Sequence, residues 1–146
     1  MKKNILVSAC LLGHACRYDG KSKPCERVIA LKDTYNLIPI CPEVMGGLPT
    51  PRVPSEICGA LVLMKDGRDV TENYNRGAEK ALEIARENAC TVAILKEKSP
   101  SCGSGFIHNG LFDGGLVEGD GITAQHLKNA GILVLGESEI TEDFSL

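Results

Sequence analysis

Seven of the 146 residues are cysteine: Cys10, Cys16, Cys25, Cys41, Cys58, Cys90 and Cys102. Thiolates ligate zinc, hold iron–sulfur clusters and act as nucleophiles, whereas neutral thiols pack as small apolar groups. No two are spaced as Cys-x-x-Cys, which speaks against a structural zinc knuckle and against a thioredoxin-like dithiol. Met1-Lys2-Lys3-Asn4 leads into an apolar run too short for the core of a secretory signal. A cytoplasmic, reducing location is therefore expected. Clustered cysteines there point to metal, cluster or redox chemistry rather than to disulfides.

The elements that must position these thiols alternate along the chain. Residues 4–9 form a short apolar run that reads as a buried strand, and residues 37–40 form a second, with Pro39 marking an edge or an end. A short helix is expected over 25–34. Residues 42–58, rich in proline, read as one long stiff loop. Residues 60–64 predict a strand that turns at Asp66-Gly67 into a hairpin with 68–70. Tyr74, Ala78, Ala81, Leu82 and Ala85 recur at helical spacing and predict a helix over 72–88, with Thr71 as its N-cap. Thr91–Leu95 is a third apolar strand. Asn109-Gly110 signals a tight hairpin within 106–112. A helix over 122–130 ends at Gly131, and Ile132–Leu135 is a fourth strand. The alternation predicts a single α/β domain over residues 1–146, with a mostly parallel, Rossmann-like sheet, flanking helices and small β-hairpins.

In such a sheet ligands gather beyond the carboxyl ends of the strands. Cys10 follows the first strand, Cys41 the second, and Cys102 lies in the loop after the third. Cys16 is six residues beyond Cys10 and can face the same basin. Three thiolates without an evident fourth ligand suit an iron–sulfur cluster with one open iron, or a catalytic zinc. Packing of neutral thiols is the competing reading. It is preferred for Cys58 and Cys90 and is extended to Cys25.

The sequence around these cysteines is distinctive. Val7-Ser8-Ala9-Cys10-Leu11-Leu12-Gly13 and Cys16-Arg17-Tyr18-Asp19-Gly20 form one motif, and Cys41-Pro42-Glu43-Val44-Met45-Gly46-Gly47-Leu48-Pro49-Thr50-Pro51-Arg52 a second. Asp66-Gly67-Arg68-Asp69-Val70-Thr71 and Lys98-Ser99-Pro100-Ser101-Cys102-Gly103-Ser104-Gly105 complete the set. In this order they resemble the DUF523 family, whose characterised type is a thiouracil desulfidase. The resemblance covers nearly the whole chain. It implies a [4Fe–4S] cluster held by three cysteines, one iron having no protein ligand, and removal of sulfur from a thiolated uracil without net redox change. By motif, the ligand role falls on Cys10, Cys41 and Cys102, with Cys16 either an exchangeable ligand or a thiol of the substrate site.

A soft thiocarbonyl sulfur suits an open iron, and water must then attack the polarised carbon. Glu43, two residues beyond a candidate ligand, is the expected base, and Ser101 a relay or a hydrogen bond to substrate. Arg17, Asp19 and Arg52 flank the ligand loops and either touch substrate, as Cys16 would if it is a thiol of the substrate site, or brace the loops as ion pairs. His14 and His108 are read as surface residues. Lys21, Lys23 and Arg27 are read as a solvated face. The expected partner is a small thiolated heterocycle.

Composition excludes other classes. A net charge of −3 and six aromatic residues disfavour a large nucleic-acid footprint, although thiolated RNA stays an alternative substrate. An apolar content of 43% excludes a disordered chain, and no apolar run is long enough to span a membrane. Nothing in the sequence indicates an oligomeric state. A metal-binding sensor or sulfide carrier, and a thiol enzyme without metal, stay open as readings of another class.

Overall fold

A computed structural model describes residues 2–146. Its centre is a four-stranded parallel sheet, built from β1 (Asn4–Ser8), β2 (Asn36–Ile40), β5 (Val92–Leu95) and β8 (Leu133–Gly136) in the order β2-β1-β5-β8. Ile5, Leu6 and Val7 of β1 are fully buried, as are Ala93, Ile94 and Leu95 of β5. Strands covered on both faces read as continuous apolar runs, which is the pattern these segments carry. Pro39 lies in β2, at the edge of the sheet, the position in which a sheet tolerates proline.

Helices cover both faces. On one face α3 (Thr71–Glu87) and α4 (Ile122–Asn129) close a core of Leu6, Ala81, Ala85, Leu95 and Leu127. On the other, α1 (Glu26–Ile29), two 3-10 turns (Ala9–Leu12 and Ala30–Asp33) and the C-terminal segment close around Ile5, Val7, Leu11, Val28 and Ile140. A third cluster, with Leu48, Val62 and Tyr74, seats the hairpin of β3 (Ser55–Cys58) and β4 (Leu61–Met64) on α3. A second hairpin pairs β6 (Phe106–His108) with β7 (Leu116–Glu118).

Three sequence expectations are corrected. The 42–58 segment is not one loop: it holds α2 (Pro42–Met45) and β3, and β3 is the hairpin partner of β4. Residues 68–70 only extend that hairpin, through Met64 N–H to Arg68 O and Val70 N–H to Val62 O. Thr71 is the first helical residue of α3 rather than its cap. Its hydroxyl donates to Asp69 Oδ1 and accepts Val62 N–H. Asp69 also accepts Thr71 N–H, and these two bonds hold its carboxyl below the usual range. Asn109-Gly110 does not form a two-residue turn. The chain from 109 to 115 loops out and is clamped by the buried Glu56, whose Oε1 accepts the N–H groups of Gly110 and Phe112.

The strand order reverses between β1 and β5, because β1 connects leftward to β2 while β5 connects rightward to β8. Open α/β sheets place their ligand crevice at such a switch point, beyond the carboxyl ends of the strands.

Candidate active site

A cavity of about 390 Å³ lies at that switch point. Ser8 and Cys10 reach it from the end of β1, Ile40 and Cys41 from β2, and Lys96 from β5. Ser8, which sequence reasoning passed over, ties two strand ends together. Its buried hydroxyl accepts Lys96 N–H at 2.9 Å.

Cys41 is the residue before α2, and the placement of α2 depends on two glycines. A Cβ on Gly77 of α3 would lie 1.9 Å from Pro42 O, and one on Gly46 would lie 2.0 Å from Asn73 O. With only hydrogens there, α2 rests directly on the α3 backbone, and Asn73 Nδ2 donates to Gly46 O. Cys102 is set by a different device. The N–H of Ile122 donates to Pro100 O, and those of Thr123 and Ala124 donate to Ser101 O. The unpaired amides at the start of α4 thereby pin the loop that carries the cysteine. Gly121 permits the approach, since a Cβ there would lie 2.5 Å from Ser101 O.

Cys10, Cys16, Cys41 and Cys102 all line this cavity, from separate segments of the chain. Cys25 and Cys90 do not line it and pack in the two cores, while Cys58 donates to Gly110 O within the hairpins. Burial, and then the charge of Cys41, pushes the Cys10 thiol up to about 11. Burial pushes Cys102 up to about 12, against hydrogen bonds from Ser8 and Ser101. Cys16 and Cys41 share a hydrogen bond, which pulls Cys41 down to about 7 despite its burial and drives Cys16 upward. Cys41 Sγ also lies 3.7 Å from Cys16 O, to which it donates when protonated.

The donor set fits an iron–sulfur cluster. Four soft sulfurs line one cavity, and burial and neighbouring charge disfavour the anionic forms of Cys10 and Cys102 until a cationic iron core compensates. Among the described residues no three Cys, His, Asp or Glu side chains gather closely enough to hold a single metal ion.

Glu43 and Ser101 meet beside the thiols. Ser101 Oγ donates to Glu43 Oε2 at 3.0 Å and lies 3.6 Å from Cys102 Sγ. Ser99 Oγ is 3.0 Å from Ser101 Oγ and extends the chain of hydroxyls. On its other side Glu43 accepts Arg52 Nε at 3.0 Å. The Arg52 side chain is only 3% exposed and also donates to Cys16 O, Pro49 O and Thr50 Oγ1. These contacts brace the loop, and Arg52 also lines the cavity.

Arg17 lines the cavity and lies over the Tyr18 ring, 5.7 Å from its centroid. Asp19 does not line the cavity. It faces Arg17 at 3.9 Å and accepts Lys21 N–H within the local turn. His14, Lys21, Lys23 and Arg27 are exposed. His108, expected at the surface, instead lines the cavity with a buried Nδ1. Tyr74 also reaches it, although its spacing marked it only as a core position of the helix. No helix among the described residues is long and apolar enough to cross a membrane.

The chain and its fold resemble known proteins. A solved structure described as the [4Fe-4S]-dependent thiouracil desulfidase TudS is 47% identical, with a TM-score of 0.90 over 95% of this chain and 93% of that one. Uncharacterized protein YbbK of Bacillus subtilis (strain 168) is 45% identical over 148 residues, covering 94% of this chain and 98% of that protein. Residues 5–139 match the family of 2-thiouracil desulfurases. The shared fold, the collected cysteines and this match along most of its length place the chain in the 2-thiouracil desulfurase family.

Proposed function

We propose that the protein removes sulfur from a small thiolated pyrimidine of the 2-thiouracil type, water replacing sulfur and sulfide leaving without net redox change. The observation that carries this reading is the meeting of Cys10, Cys41 and Cys102 with the hydrogen-bonded pair Glu43–Ser101 in one cavity. The likeness to a [4Fe-4S]-dependent thiouracil desulfidase supports it.

Cys10, Cys41 and Cys102 hold a [4Fe–4S] cluster, one iron of which has no protein ligand. When bound, the cluster supplies a Lewis-acidic site with an affinity for soft sulfur. Cys16 stays outside the ligand set as a thiol of the substrate site, beside Cys41. Glu43 takes a proton from the attacking water at the oxygen that Ser101 reaches, and Arg52 holds the carboxylate in place through the other. Ser101 carries the proton toward the departing sulfur. The water oxygen ends on the ring carbon and its two protons leave with the sulfide, so the balance needs no electron donor. Arg17 stands at the rim, where it contacts the substrate's outer edge.

The test is Glu43→Ala. Cluster absorbance is expected to survive, because Glu43 is not a ligand, while 2-thiouracil turnover falls by about a hundredfold or more, the usual contribution of a general base. Full activity in Glu43→Ala would remove Glu43 from the mechanism.

A further inference from the structure

Among the described residues three buried side-chain polar atoms find no hydrogen-bond partner within the chain: Tyr74 Oη, His108 Nδ1 and Thr123 Oγ1. Buried polar groups are almost always paired, and each exception calls for a reason. Thr123 is a buried residue of α4 and does not line the cavity. The other two line the cavity that holds the cysteines, although α3 and β6 bring them from distant parts of the chain.

Tyr74 is 1% exposed. Its hydroxyl has Glu43 and Ser55 close enough for weak polar contact, but makes a well-formed hydrogen bond with neither. Glu43 is already engaged by Arg52 and Ser101. Burial, reinforced by the charge of Glu43, keeps the phenol in its neutral form. It therefore offers a fixed O–H donor in a site of low polarity, where such a donor is strong when satisfied and costly when not. A buried group left unsatisfied by its own fold is characteristic of a site organised for a ligand rather than for stability.

We propose that Tyr74 Oη and His108 Nδ1 are specificity-determining contacts that bind the polar edge of the heterocycle away from its sulfur, Tyr74 donating to a carbonyl oxygen of the ring. The inference deepens the desulfidase reading and rests on it. It defines the substrate class as a thiolated ring bearing a second, oxygenated edge, as 2-thiouracil does and 2-mercaptopyrimidine does not. Discrimination of this kind is strong because the analogue leaves the buried donor unpaired.

The test compares wild-type holoenzyme with Tyr74→Phe and His108→Ala, using 2-thiouracil and 2-mercaptopyrimidine, and measures Tm and uracil binding alongside. The wild type is expected to favour 2-thiouracil by tenfold or more in kcat/KM. Tyr74→Phe removes one oxygen. It is expected to lose most of that preference, with KM for 2-thiouracil and Kd for uracil raised about tenfold, the worth of one buried hydrogen bond. Its Tm should hold or rise, because an unsatisfied group has been deleted; a structural hydroxyl would give a fall. His108→Ala is expected to weaken uracil binding several-fold. Unchanged preference and unchanged uracil binding in Tyr74→Phe, or a lowered Tm, would overturn the proposal while leaving the desulfidase reading intact. A wild type that turns over neither compound would overturn the desulfidase reading, and the proposal with it.

Discussion

Removal of the Arg52 guanidinium tests how the base is held. The Arg52–Glu43 pair is largely buried, at 3% and 15% exposure of the two side chains. Arg52→Ala leaves Glu43 with only the Ser101 hydroxyl as a partner and frees the backbone carbonyls of Cys16 and Pro49. Breaking one side of a buried pair costs about 3–5 kcal/mol, and the residual exposure of Glu43 reduces this to about 2–4 kcal/mol. For a domain of this size that corresponds to a fall in Tm of about 6–12 °C. The assay is a thermal-unfolding cycle of wild type, Arg52→Ala, Glu43→Gln and the double variant. Neutralising the stranded carboxylate relieves its burial cost, so the double variant should melt above Arg52→Ala. Additive destabilisation to within about 0.5 kcal/mol would mean that the two groups do not interact, and would refute the brace.

Two further predictions follow from the elements that carry the site. Gly77→Ala drives a Cβ into Pro42 O and should shift α2, lowering iron content and turnover together at a stability cost of about 1–3 kcal/mol; the exposed Glu79→Ala, two residues on, should leave both unchanged. Asp69 is held below its ordinary range by Thr71, so its contribution is present above the unfolded carboxyl pKa of about 3.9 and is lost as pH falls through the lower folded value. Asp69→Asn should therefore be less stable than wild type at pH 7, and the gap should close during acid titration followed by circular dichroism.

The sheet was legible because its strands are buried on both faces and so carry their signal locally, as Ile5-Leu6-Val7 and Ala93-Ile94-Leu95 do. The grouping of Cys10, Cys41 and Cys102 followed from strand ends alone. What lay beyond reach depended on contacts between distant segments. Asn109-Gly110 has the composition of a tight turn, but Glu56 captures its amides from 54 residues away. Thr71 has the side chain of a cap, but Val62 and Asp69 occupy it. Tyr74 fits an apolar helical stripe, and nothing in the stripe shows that its hydroxyl ends in a cavity without a partner. Arg52 is readable as a charge near a ligand loop, but its burial and four acceptors are set by the fold of the whole 42–58 segment.

The central claim is that three cysteines hold a cluster whose work is hydrolytic. The most direct measurement is anaerobic preparation of the full chain, iron and sulfide analysis, and 2-thiouracil turnover without any electron donor. The account predicts about four irons and four inorganic sulfides per chain, with uracil and sulfide formed in equal amounts and no reductant consumed. Iron-free protein after anaerobic reconstitution, or turnover that requires a reductant, would contradict it.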